Sequence, residues 1–176
     1  LAEGTWTKRL HPGWAAQSAV RAAYAARAGF LGPRTVLEGE HGFYKAFGVE
    51  SIETDFAELT DGLGVDWRMA DLAFKPHACG TMCQPFVDAA ISLTKNGLDP
   101  SEIKRVEAYV GEGTVHRLWE PRTEKIEPST PYSAKFSGPF CIAIGFLDGA
   151  AGLNQFTEER IAEGDVLSLA SRVHYV

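Results

Sequence analysis

One stretch of the chain, Lys75-Pro76-His77-Ala78-Cys79-Gly80-Thr81-Met82-Cys83, gathers an amine, an imidazole and two thiols. Three chemistries compete for it. The spacing His77-x-Cys79-x-x-x-Cys83 offers three metal donors, but a structural zinc site wants four, usually as paired short spacings. A fourth would have to come from His11, His41, His116 or His174, and nothing in the sequence marks one of them. No metal is therefore expected. A thiol nucleophile needs a neighbouring base or cation to lower its pKa. Lys75 and His77 are close in sequence, yet free cysteines are commonly small buried hydrophobes, and Cys79, Cys83 and Cys141 are read that way. The third chemistry is anion binding. Lys75 stands before a proline and a helix N-terminus, whose open N–H groups near Thr81–Gln84 and dipole favour negative charge. A lysine beside such a terminus can clamp a carboxylate.

The same design occurs near the start of the chain. In Thr7-Lys8-Arg9-Leu10-His11-Pro12-Gly13, two cations and an imidazole precede a helix that Pro12 is expected to open. Two basic segments at two helix starts suit a small polyanion. Lys8, His11 and Lys75 are the expected binding residues. His77 is the acid/base candidate, because imidazoles as a class titrate near neutrality.

The elements that must carry these residues can be read from periodicity and punctuation. His11–Phe30 is alanine-rich and ends at Gly29, so a helix is expected, with its small side chains buried among other helices. A helical turn is expected from Gly32-Pro33 to Gly39. A short helix near 42–47 should turn Phe43, Tyr44 and Phe47 into a core. Residues 51–64 read as a short helix and turn, and 67–74 as extended. A helix opened by Pro85 and stopped by Gly97 carries an apolar stripe of Phe86, Ala89, Ala90 and Leu93. Alternation puts Val106, Ala108 and Val110 on one face of a strand, opposite Arg105, Glu107 and Tyr109. The proline-rich 120–136 reads as loop. Residues 137–149 form an almost wholly apolar helix between Ser137 and Gly149. Short helices follow at 158–162 and 166–170. The last residues read as half of a strand with its partner missing. Residues 1–70 thus read as all helical and 71–176 as α+β.

Composition narrows the partners. Hydrophobic residues make up 45% and charged residues 23% of the 176, as in soluble globular proteins. The net charge of −6 with no basic cluster argues against nucleic acid. No apolar run approaches the roughly 20 residues of a membrane span. Three cysteines are too few and too odd a set for a disulfide scaffold, so a reducing compartment, the cytoplasm, is expected. The N-terminal residues lack the apolar region of a signal peptide. There is also no initiator Met, as expected of part of a longer chain.

Taken in order, these segments resemble the MmgE/PrpD family of 2-methylcitrate dehydratase, cis-aconitate decarboxylase and iminodisuccinate epimerase. Residues 7–43 resemble its Lys-x-Leu-His-x-Gly-x-Ala-Ala segment and the Leu-x-x-x-x-Gly-Phe stretch after it. Residues 73–90 resemble the Lys-x-aromatic-Pro segment that opens its second domain. Residues 134–149 resemble that domain's Ser-x-x-Tyr helix. The resemblance implies an α+β fold: the end of an all-helical domain (1–70) and part of a smaller α+β lid (71–176), with the active site between them and a homodimer as the assembly. It implies that Lys8 matches an active-site lysine, Lys75 a second basic residue, and His11 the Leu-His dipeptide. Two positions depart. Gly80 stands where the decarboxylases place a catalytic His, with His77 three residues earlier. Phe140 stands where they place a Tyr, and Phe cannot donate a proton.

The chemistry implied needs no cofactor. A cationic pocket holds a di- or tricarboxylate, a base takes a proton α to a carboxylate, and the enediolate-like charge is stabilised electrostatically. Loss of a β-hydroxyl makes a hydro-lyase acting on an acid such as 2-methylcitrate. Reprotonation on the other face makes an epimerase of an aspartate-derived dicarboxylate. A third possibility is an inactive fragment or assembly module, and the 176-residue piece alone is expected to be inactive.

Overall fold

The computed structural model describes residues 6–48 and 55–176. These divide into two compact units, Trp6–Ala73 and Phe74–Val176.

The first unit is helical and thinly packed. Helix α1 spans Thr7–Arg27. Its alanines lose no side-chain entropy in a helix. Gly29, at φ +91°, ends it: the Phe30 amide donates to the Ala25 carbonyl (3.0 Å) and the Gly29 amide to Ala26 (3.0 Å). That crossed pair satisfies carbonyls the helix leaves open. The start differs from the expectation. The helix opens at Thr7, not at Pro12, which lies inside it. Pro12 has no amide to give the Lys8 carbonyl four residues back, an interruption tolerable only near a helix end. Burial differs as well. No residue of α1 is buried, and Trp14, Val20 and Tyr24 are exposed. The small side chains find no close neighbour helix among the described residues.

The rest of the unit is turns. Residues 34–42 form turns, among them the helical turn expected there, closed by the Gly39 amide donating to the Thr35 carbonyl at 3.0 Å. Helix α2, Phe43–Phe47, is present, but Phe43 and Phe47 are exposed and pack on one another, 5.1 Å between centroids. The short helix read over 51–64 lies partly outside the described residues. What is described is a 3-10 turn, Phe56–Leu59, capped by Asp55, whose carboxylate accepts from the Ala57 amide at 2.9 Å. A second such turn, Arg68–Asp71, replaces the extended segment expected there.

The second unit holds a core. In chain order it has α3 (Gln84–Lys95), β1 (Val106–Ala108), α4 (Glu112–Leu118), α5 (Arg122–Ile126), α6 (Pro131–Ala134), α7 (Gly138–Asp148), α8 (Glu158–Ile161), α9 (Gly164–Ser171) and β2 (Val173–Tyr175). Helix α7 is its axis. Ser137 accepts the Phe140 amide at 3.0 Å, Gly149 closes the other end at φ +61°, and residues 138–146 are buried all round. Such a helix must be enclosed by others. Helices α3 and α9 pack on it. The contact with α3 is close: a Cβ placed on Gly145 would lie 2.9 Å from the Ala90 Cβ. At Gly138 it would meet the Trp119 ring at 2.8 Å. Trp119 is itself 1% exposed and edge-on to Phe86, with no acceptor for its indole N–H among the described residues.

Strand β1 alternates as expected, and its partner is present. It pairs in parallel with β2, Val106 opposite Val173 and Ala108 opposite Tyr175. A parallel pair needs a crossover rather than a hairpin, and α4 to α9 provide it. The terminal residues therefore form the second strand of a pair, not half a strand lacking one. The proline-rich region is not plain loop, since α5 and α6 form within it. The buried stripe of α3 is also shifted. Cys83, Val87 and Ala90 are buried, whereas Leu93 is half exposed. The α7 axis, not hydrophobicity alone, selects which face turns inward.

An ion cluster ties α8 and α9 back to α7. Arg160 donates to Asp148 from Nε at 3.1 Å and to Asp165 from Nη1 at 2.9 Å, and also binds Glu163. Side chains of Arg160 and Asp148 are 14% and 17% exposed. Burial pushes the Asp165 carboxyl up, but Arg160 and the Val166 amide outweigh it and hold it below the usual range.

Two outcomes follow for the full-length protein. Gly145→Val should lower the urea midpoint by the equivalent of about 2 kcal/mol, as overpacked cores do. Pairing the milder Gly145→Ala with Ala90→Gly should recover stability that Gly145→Ala alone loses. Arg160→Ala should cost about 2 kcal/mol through its lost charged hydrogen bonds. Because Asp165 is depressed, its contribution is present above the unfolded value near 3.9 and vanishes as pH falls through the lower folded value. Thermal melts from pH 6 to pH 2 should show a shallower acid loss in Asp165→Asn.

Candidate functional site

The segment singled out in the sequence forms a tight turn in front of α3. Its organiser is Gln84, the first residue of the helix, whose side chain turns back into the protein and is only 9% exposed. Its Oε1 accepts the His77 amide at 3.0 Å. Its Nε2 lies within donor reach of the carbonyls of His77 (3.1 Å) and Cys79 (3.2 Å) and of the Cys79 sulfur (3.3 Å). One amide thus closes a loop seven residues long. Sequence reading passed over Gln84 because a glutamine at a helix start carries no spacing signal. Its role exists only once the turn folds back on it.

The turn is also bound from outside. The Ala78 amide donates to the Ala151 carbonyl at 2.7 Å, and the Gly80 amide to the Lys135 carbonyl at 2.8 Å. Gly80 is buried, and a Cβ there would meet the Phe136 ring at 3.2 Å and the Lys135 carbonyl at 3.3 Å. The space in which the resemblance leads one to expect a histidine is therefore filled by a neighbour's ring. Phe140 is buried completely and packs on Phe156, 5.8 Å between centroids. It serves the core and has no proton to give.

His77 is held by this turn with its ring 12% exposed. Its Nε2 is 2.8 Å from the Asp88 carboxylate, one turn into α3. With Asp88 accepting from Nε2–H, the lone pair of the neutral ring sits on Nδ1. Asp88, unremarked in the sequence, gives His77 an orienting partner. No spacing signals the pair, since His77 lies outside α3 and the two residues are eleven apart. Lys75 is exposed on the same segment. It acts electrostatically on Cys79.

The three thiols lie behind the turn. Cys79 is 6% exposed, and Cys83 and Cys141 are fully buried. They are free. The neighbouring Cys141 and Cys83 pull the Cys79 thiol down to about 4 against the cost of burial, with His77 and Lys75 adding to the effect. Cys83 is pushed up to about 12, and burial pushes Cys141 up as well. The reading of all three as small buried side chains agrees with their burial. Among the described residues no three His, Cys, Asp or Glu side chains gather as metal donors.

Lys8 and His11 lie in the other unit, on the exposed first turns of α1. They are part of that helix rather than the lead-in to it, so the expected cationic segment in front of a proline-started helix is not formed. An open surface hollow of about 370 Å³ in that unit is bordered by Val65, Asp66, Trp67, Arg68 and Asp71. None of the four candidates borders it.

Gln84 generates a prediction. Gln84→Leu leaves the His77 amide and two buried carbonyls without partners, at about 1–3 kcal/mol for each group left unsatisfied. Hydrogen exchange should quicken at residues 77–80 and spare β1. Gln84→Glu should not rescue, because a carboxylate cannot donate to the two carbonyls.

Comparison with known proteins agrees with this frame. The profile of the MmgE/PrpD C-terminal domain matches residues 77–176, and that of the MmgE/PrpD N-terminal domain matches residues 1–54. A cis-aconitate decarboxylase-like protein of Aspergillus oryzae, oryM, is 25% identical over 94% of this chain. The chain spans 36% of that relative's length. Among the described residues no helix is long and apolar enough to cross a membrane. With more than half of its length matching the C-terminal domain and its first residues the N-terminal one, the chain belongs to the MmgE/PrpD family.

Proposed function

We propose that the full-length protein is a hydro-lyase acting on a small di- or tricarboxylic acid such as 2-methylcitrate, with His77 as the proton-transferring base. The observation that carries this reading is the His77–Asp88 pair at 2.8 Å, on the same short turn as Lys75. Family membership supplies the reaction class.

In this reading Nδ1 of His77 takes the proton α to a carboxylate. Asp88 orients the ring and balances its charge, so uptake does not create an isolated cation. The enediolate that forms carries extra negative charge on the carboxylate, and Lys75 stabilises it. For Lys8 and His11 it is the family resemblance that supports a role in carboxylate binding. Expulsion of a β-hydroxyl completes the elimination, and a proton returned to that hydroxyl lets it leave as water. Phe140 cannot supply a proton, which favours elimination over the route of the decarboxylase relatives.

The measurement is turnover of the full-length protein on citrate, 2-methylcitrate and iminodisuccinate in heavy water. A dehydratase yields an alkene with ultraviolet absorbance. An epimerase instead yields the inverted acid carrying deuterium at the reacting carbon. His77→Gln should cut kcat about 10²-fold, the usual worth of a general base. Lys75→Ala and Lys8→Ala should each raise KM about tenfold, as expected on losing one charged hydrogen bond. Full turnover in His77→Gln would remove His77 from the chemistry.

A further inference from the structure

Among the described residues β1 and β2 form a sheet of two strands, and its two outer edges differ. We infer that the outer edge of β1 is a docking site for an extended segment of the full-length protein lying outside residues 1–176, which adds as a third strand. The inference stands on the sheet and does not rest on the polyacid reading.

The hydrogen bonds alternate along β1 and the two residues after it. The Val106 amide donates to the Arg172 carbonyl at 3.0 Å, the Val176 amide to the Ala108 carbonyl at 2.8 Å, and the Val110 amide to the Val176 carbonyl at 3.1 Å. In a parallel pair the residues between these turn their amides and carbonyls away from the partner strand. Here they are Glu107 and Tyr109, and no backbone partner meets them among the described residues. The far edge of β2 is closed instead. Arg122 donates from Nη1 to the Val173 carbonyl at 2.8 Å and from Nη2 to the Ser171 carbonyl at 2.9 Å, so a guanidinium stands where a further strand would pair. β1 carries no such guard and no proline, and Tyr109 is 77% exposed. An edge left in that state is a template for another strand.

Burial points the same way. Val173 on β2 is fully buried, whereas Val106, its partner across the pair, and Val110 on the same face are only partly buried beside the core. The apolar face is therefore unfinished on the β1 side. A third strand with apolar residues at alternate positions would finish it, because side chains of neighbouring strands share a face at that period. Its other residues would lie beside Arg105 and Glu107, which already pair with each other at 2.8 Å. The same polypeptide is the source we assign. The cis-aconitate decarboxylase-like relative is covered over only 36% of its length, so most of a protein of that size lies outside these residues. A tethered strand also escapes the association cost that a second copy would carry.

The test combines hydrogen exchange, read at single amides of the full-length protein, with photo-cross-linking. The Glu107 and Tyr109 amides should exchange roughly a hundredfold slower than in an unstructured peptide, as amides bonded within a sheet do. Irradiation of full-length Tyr109→p-benzoylphenylalanine should join residue 109 to a peptide from outside residues 1–176, in a product that keeps the mass of one chain after denaturation. A product of twice that mass would assign the edge to a second copy and overturn the inference. So would an adduct confined to residues 1–176, or Glu107 and Tyr109 amides that exchange as fast as an unstructured peptide. The exchange measurement uses the unaltered protein, so it decides even where the substituted one fails to fold.

Discussion

The close approach of α3 to α7 is the constraint on which the second unit depends. Gly145 leaves room for Ala90, and Gly138 leaves room for the Trp119 ring. Helix α7 is apolar on every side, so it is stable only when enclosed. Its neighbours can enclose it only where small residues let backbones come near. The same contact sets the rotation of α3 and so decides that Cys83, Val87 and Ala90 face inward. Asp88 is thereby left exposed at the edge, where it meets His77.

From that rotation the candidate site follows. Gln84, at the start of a fixed helix, can reach back and hold His77 and Cys79 by their backbones. A turn held by side-chain and backbone bonds presents its imidazole in one orientation. Catalytic groups need that fixity, since small displacements cost rate. The thiol trio is a by-product of the same packing. Two of its members are the inward face of α3's lead-in and of α7, and the third is the turn between them and the surface.

The two units differ in how far the sequence foretold them. In the second, the capped α7, the start and stop of α3 and the alternation of β1 were all legible. Each is a local matter of caps, glycine conformation or period. The missed features share a different cause. Helices α5 and α6 lie in a stretch whose prolines signal loop, yet proline also suits a first helical turn, as Pro131 does behind the Thr130 cap. Strand β2 looked unpartnered because its partner lies far back in the chain. In the first unit, Pro12 invited a helix start that α1 does not use, since one proline in the second turn removes a single hydrogen bond and the flanking alanines sustain the helix across it.

The sequence by itself determined the secondary structure of the second unit's main helices, the chemical inventory at Lys75, His77 and Cys79, and the resemblance that the family profiles bear out. Those depend on residues near in sequence. Only the tertiary structure decided that Gln84 organises the turn, that Asp88 partners His77, and that Gly80 has a ring where a side chain would go. Each of those depends on which faces meet when α3 settles on α7. Spacing along a chain cannot specify a meeting of faces, because burial and close packing act through space rather than along the backbone.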